Sequence, residues 1–118
     1  MASRTAKTMN ELGEAVIRGT GNVFADLGYP DAEERQTKLR LAYAINEVIV
    51  RRRLTQTAAA EKLGVNQPKV SALARFKLDG FSVERLMGFL TALDQDVEIV
   101  IRQKPRSRAA ARILVVAA

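Results

Sequence analysis

The sequence predicts a mainly α fold of four to five short helices, closed by a pair of short C-terminal β-strands. Three observations predict it. Apolar residues recur at helical spacing in separate stretches, several of them opened by a capping residue. Val97, Ile99 and Ile101 alternate with Glu98, Val100 and Arg102, as the two faces of a strand do. The chain has 118 residues, 47% apolar and 27% charged, which suits one small domain with tails rather than a disordered polymer.

The elements follow in order. Residues 1–30 carry four glycines (Gly13, Gly19, Gly21, Gly28) and little sustained period, so they are expected to form an N-terminal arm. A weak helix over 8–18 is its only regular piece, and Phe24 and Leu27 are its docking points. Pro30-Asp31-Ala32-Glu33-Glu34 then reads as a helix start, with Asp31 as cap and Glu34 three residues on, as in a capping box. Leu41, Ala42, Ile45, Val48 and Ile49 mark one face of a long amphipathic helix that ends near Arg51-Arg52-Arg53. Thr55 caps a short helix running to Leu63. Gly64 supplies the positive φ of a tight turn, and Asn66 opens a second short helix over roughly 67–76.

Ser82 caps a further helix whose face is Val83, Leu86, Leu90 and Leu93, with Met87 and Phe89 on the flanks. The domain thus spans 31–96. Residues 97–118 hold the strand at 97–101, a basic tail, and a second short strand at Ile113-Leu114-Val115-Val116. A lone hairpin is marginal in water. The apolar row Val97, Ile99, Ile101 is therefore assigned to dimerisation, with a second copy of the chain as the simplest pairing partner.

Pro68 poses the sharpest local question, because it stands where the spacing Val70, Leu73 already implies a helix. With Asn66 as cap, it falls in the first turn, where a missing N–H breaks no intrahelical bond. Proline also pushes the residue before it away from helical φ/ψ, which would make Gln67 the cap and Pro68 the first helical residue. In both arrangements the proline begins the helix.

Composition excludes several chemistries. There is no Cys and no His, which removes disulfides, thiolate or imidazole metal sites and every nucleophile–histidine arrangement. No paired acid and base, metal set or phosphate loop appears, so no catalytic residue, metal or cofactor is assigned and an enzyme is not expected. The longest apolar runs fall short of the roughly 20 residues a spanning helix needs, and no signal-peptide pattern opens the chain. A cytoplasmic protein, away from membranes, is expected. The net charge of +6 is uneven: residues 1–50 hold six basic against seven acidic side chains, residues 51–118 thirteen against six. The second part, at +7, suggests a polyanionic partner.

The spacing Gln56, Ala60, Gly64, Val70, Leu73 has a physical logic. Two short helices crossing steeply need a small residue where they touch (Ala60) and a left-handed turn between them (Gly64). They also need apolar residues on the inner face of the second helix, here Val70 and Leu73. That is the helix-turn-helix of DNA readers, whose second helix enters the major groove.

The run from Leu54-Thr55-Gln56 through Ala60-Glu61-Lys62-Leu63-Gly64-Val65 to Gln67-Pro68-Lys69-Val70-Ser71 resembles the Cro/C1-type, or XRE, helix-turn-helix family. More narrowly, "GNVFADLGYPDAEE", "LTQTAAAEKLGVNQPKVSAL", "GFSVERLMGFLTALDQDVEIVIR" and the "VVAA" ending resemble HigA-like antitoxins of type II toxin–antitoxin modules. That likeness runs over about residues 20–118. It implies a homodimer that represses its own operon by binding a double-stranded DNA operator, and that neutralises a RelE/HigB-like toxin. Carried over by position, Asn66, Gln67, Ser71 and Ala72 are base readers, and Gln56, Lys69, Arg75 and Lys77 contact phosphates. Gln67 is the best base reader, because a side-chain amide pairs with both N6 and N7 of adenine.

The family pattern is departed from at Ala74-Arg75-Phe76-Lys77, where many relatives carry an acidic residue and a glycine. Two other functions compete: a stand-alone phage-type repressor, and a protein-interaction module whose helix-turn-helix is vestigial. Arg51 to Arg53 and the basic tail Arg102 to Arg112 read more simply as solvated than as groove-binding.

Overall fold

The computed structural model describes Gly28 and residues 30–117. The arm over 1–30, with the helix expected over 8–18 and the docking points Phe24 and Leu27, lies outside the described residues except for Gly28 and Pro30. Four helices are described: α1 Ala32–Arg51, α2 Gln56–Leu63, α3 Gln67–Ala74 and α4 Val83–Ala92.

The long helix α1 is the spine of the domain. Leu39, Ala42 and Ile45 are fully buried and Leu41 and Val48 nearly so, while Ile49 is half-buried. This face packs chiefly against α4, whose Leu86, Phe89 and Leu90 are buried, and against Leu93 beyond its end. Phe89, expected on a flank, belongs to the core: Phe81 meets it edge-on with ring centroids 5.8 Å apart. Val83 and Met87 are the half-buried ones.

Three of the four caps form as hydroxyl or amide chemistry dictates. Thr55, Asn66 and Ser82 each accept a hydrogen bond from the amide three residues on, at Ala58, Lys69 and Arg85. Asp31 does not cap. Its carboxylate instead accepts from Arg35 Nε at 2.8 Å, which holds the Asp31 carboxyl below the usual carboxylate range. A guanidinium one turn away outcompetes a neutral amide for the charge, so the capping box is not formed.

All four helices close in the same manner. After each, one residue takes left-handed backbone: Arg53 (φ 55°), Gly64 (φ 70°), Phe76 (φ 56°) and Asp94 (φ 63°). The amide of the following residue then reaches back five positions, at Leu54 to Ile49, Val65 to Ala60, Lys77 to Ala72 and Gln95 to Leu90. Such a turn satisfies carbonyls that would otherwise be orphaned, at a cost of about 1–2 kcal/mol wherever the left-handed residue is not glycine. Arg52 and Asp94 pair at 3.6 Å and tie the ends of α1 and α4 together.

The expected C-terminal strand pair is not present: no described residue lies in a strand. Ile99 and Ile101 are 76% and 93% exposed. A strand is defined by its partner's edge, and within one chain 97–101 and 113–116 do not meet as a ladder. The end of the chain folds back on α1 instead. Arg40 donates to the Val115 carbonyl at 3.1 Å, and the Ile113 amide donates to the Glu33 carboxylate at 3.1 Å. Val97 and Val115 rest on the main core from outside.

Candidate nucleic-acid interface

Helices α2 and α3 pack through a small cluster of their own: Ala59, Ala60 and Val70, flanked by Ile49, Leu54 and Val65. Alanine at the crossing lets the two backbones approach, and Gly64 turns the chain between them. Leu73 is fully buried in the main core, so α3 is fastened at both its inner residues. Asn46 of α1 donates from Nδ2 to the Leu73 carbonyl at 2.9 Å, which holds the end of α3 to the spine.

The beginning of α3 settles the place of Pro68. Asn66 is the cap, Gln67 the first helical residue and Pro68 the second. The Asn66 side chain is used by the Lys69 amide. Gln67 is thereby free of capping, and its Nε2 donates instead to Thr57 Oγ1 on α2 at 2.8 Å.

The remaining expected site residues divide by burial. Gln56, Asn66, Gln67, Arg75 and Lys77 are exposed, Ser71 and Ala72 half-buried, Val70 and Leu73 buried. Ala72 leans on the main core, which leaves less of its methyl for any partner than its position implied. Lys69 departs furthest from expectation. It is half-buried, with Nζ 5.1 Å from the centre of the Phe81 ring, a cation–π contact. The ammonium also lies beside Gly80, 3.5 Å from where a Cβ would stand there, an ordinary contact distance. Lys69 therefore bridges α3 to the 78–81 turn rather than standing free. The exposed Ala74 shares a shallow cleft with Tyr43, Asn46 and Phe76.

Thr57 and Phe81 escaped sequence reasoning. Thr57 could have been noticed as a hydroxyl on the first turn of α2, opposite an amide side chain at the first turn of α3. Nothing in the spacing points to Phe81 as the seat of Lys69.

Two short helices joined by a left-handed turn, the second fastened inward by Val70 and Leu73 and outwardly polar, define a helix-turn-helix protein. Residues 23–102 match the family described as a helix-turn-helix domain. A solved structure named as a candidate XRE-family transcriptional regulator is 80% identical, covers 75% of this chain and is itself covered completely, with a TM-score of 0.73. The chain belongs to the XRE-type helix-turn-helix family. No curated protein matches it. Among the described residues no helix is long and apolar enough to cross a membrane.

Proposed function

We propose that this chain is a transcriptional repressor that binds duplex DNA with sequence preference, as a dimer, through α3. One observation carries the reading: α3 is anchored through Val70 and Leu73, while Gln67 and Arg75 face solvent without any core role. An amide side chain at the leading end of such a helix suits a base edge in the major groove, and the exposed cations suit phosphates. The excess of +7 over residues 51–118 supplies the attraction that any duplex feels. Val97, Ile99 and Ile101 are the dimerisation row, since a second copy would cover Ile99 and Ile101, which this chain leaves bare.

The test is titration of labelled duplexes, specific and random, at several fixed salt concentrations. Gln67→Ala is expected to reduce discrimination by about 1–3 kcal/mol, and Arg75→Ala, which removes an exposed cation at the end of α3, to weaken both duplexes together. Unchanged DNA affinity in both variants at fixed salt overturns the assignment of α3.

The narrower role is that of an antitoxin that represses its own operon and neutralises a RelE/HigB-like toxin. It is supported by the likeness of four sequence stretches to HigA-like proteins. Co-expression with the product of the neighbouring gene tests it. The expected result is a stable complex in which that product's ribonuclease activity is lost; an unaffected ribonuclease, or no such neighbour, removes the antitoxin role and leaves the repressor.

A further inference from the structure

We infer that Thr57 is a specificity-determining residue: its hydroxyl orients the Gln67 amide so that this side chain selects adenine. The inference rests on the proposal that α3 reads bases, and concerns how one of its side chains is aimed. Gln67 Nε2 donates to Thr57 Oγ1 at 2.8 Å, across the turn between α2 and α3. Both residues are exposed, so the contact contributes little to the core and is available to a ligand.

A free glutamine side chain spreads over many rotamers, and ordering it on binding costs part of the contact's worth. A glutamine already held at one N–H has paid much of that cost before DNA arrives. The direction of the bond matters as much as its existence. With one N–H given to Thr57, the amide presents its other N–H and its carbonyl oxygen. That donor–acceptor pair complements N7 and N6–H₂ of adenine. Turned over, with Oε1 accepting from the hydroxyl, the amide would have both N–H groups free, and two donors suit the two acceptors N7 and O6 of guanine.

Thr57 also explains what keeps the amide from turning over. A hydroxyl has one proton to give and two lone pairs to receive with. Because it accepts from Gln67, its own proton remains available at the first turn of α2, the element that in such motifs lies against the DNA backbone. Once that proton is given to a phosphate oxygen, the hydroxyl can only accept from Gln67. Phosphate contact by Thr57 thereby fixes the amide in its adenine-reading orientation. Lys69, capped amide and held ammonium alike, takes no part, and Asn66 is occupied at the helix start.

The experiment uses full-length protein and duplexes selected by it from a randomised library. Every base pair of the selected half-site is then varied in turn by competition for wild type, Thr57→Val, Thr57→Ser, Gln67→Ala and the double variant Thr57→Val/Gln67→Ala. Valine keeps the branched shape and the helix, which circular dichroism and thermal melting verify, while deleting the hydroxyl. Thr57→Val is expected to reduce the preference for adenine by about 5- to 30-fold, at the one position whose preference Gln67→Ala also abolishes. Thr57→Ser should retain that preference, and the double variant should discriminate no worse than Gln67→Ala. A Thr57→Val protein that weakens equally on every duplex, or that keeps full discrimination at that position, overturns the role of Thr57 while leaving base reading by α3 intact. Wild type that selects no sequence at all overturns base reading itself, and this inference with it.

Discussion

Phe76 lies over Tyr43, ring centroids 6.4 Å apart and planes inclined by 24°, on a backbone held at a φ of 56°. Left-handed backbone is unfavourable for a bulky side chain by about 1–2 kcal/mol, yet Phe76 is only 6% exposed and its burial outweighs that strain. The opposition can be measured. Phe76→Ala keeps the strain and loses the ring, at a cost of about 3–5 kcal/mol. Phe76→Gly removes one carbon more but relieves the backbone, and is expected to be the milder change by about 1 kcal/mol. Arg53, in the same backbone state at the end of α1, is exposed and buries nothing. Arg53→Gly is expected to raise stability by about 0.5–1 kcal/mol. Urea unfolding of the three variants reads all of this, and equal costs for alanine and glycine at position 76 would show that Phe76 is unstrained.

Gly64 offers the same backbone state without a packing term. A Cβ placed on it meets nothing within 4 Å, so any loss on Gly64→Ala is conformational. The expected loss is about 1 kcal/mol, seen as a lower urea midpoint at an unchanged slope. A change in slope would mean that the turn between α2 and α3 had reorganised instead.

These turns also mark how far the fold could be read from residues. Helix starts were legible because Thr55, Asn66 and Ser82 carry a short polar side chain that local amides can use whatever surrounds them. Gly64 was legible as a helix end for the same local reason. The left-handed residues Arg53, Phe76 and Asp94 were not, because there the backbone state is imposed by packing and by carbonyls needing partners, not by the residue's own preference. Asp31 misled, since the outcome depended on Arg35 lying within reach of its carboxylate. The alternation at 97–101 is a strand pattern, but a strand requires an edge that this chain does not bring to it. The residues of α3 were identifiable from the motif. The direction of Gln67 depends on Thr57 ten positions earlier, and the seat of Lys69 depends on Phe81 twelve later. Such pairings belong to tertiary structure and leave no periodic trace.

The exposed cations at the end of α3 give a prediction about salt. Arg75 and Lys77 are exposed and lie just beyond the end of α3. If each neutralises one phosphate in the DNA complex, Arg75→Ala or Lys77→Ala should weaken specific and random duplexes alike. Each should also reduce the slope of log affinity against log salt by about 0.9. Lys69→Met should change that slope less, because the Lys69 ammonium is held against Phe81. A full unit lost at Lys69 and none at Arg75 or Lys77 would reverse the assignment of phosphate contacts.

Arg40 presents the opposite situation, a charge that the domain buries. It is 4% exposed on the inner side of α1; NH1 donates to the Val115 carbonyl, while Nε has no hydrogen-bond partner among the described residues. Burial, and secondarily the nearby Arg112, lower its pKa from the ordinary arginine value. For a base, a folded-state pKa below the unfolded one means that the charged form is disfavoured by folding. The resulting loss of stability is present at every pH below the folded pKa and is relieved only as pH rises through it, above the range in which proteins are handled. Substitution is therefore the practical probe. Arg40→Met keeps much of the volume and removes the buried charge, and is expected to leave stability unchanged or raise it by about 1 kcal/mol. Arg40→Ala loses the packing as well and should destabilise by about 2 kcal/mol. In both variants the Val115 carbonyl loses its donor, so amides from 113 to 116 should exchange with deuterium faster than in wild type while those of α1 and α4 stay protected. A methionine variant that unfolds readily, with α1 exposed along with the tail, would show that the Arg40–Val115 bond holds the domain together instead of merely tethering its end.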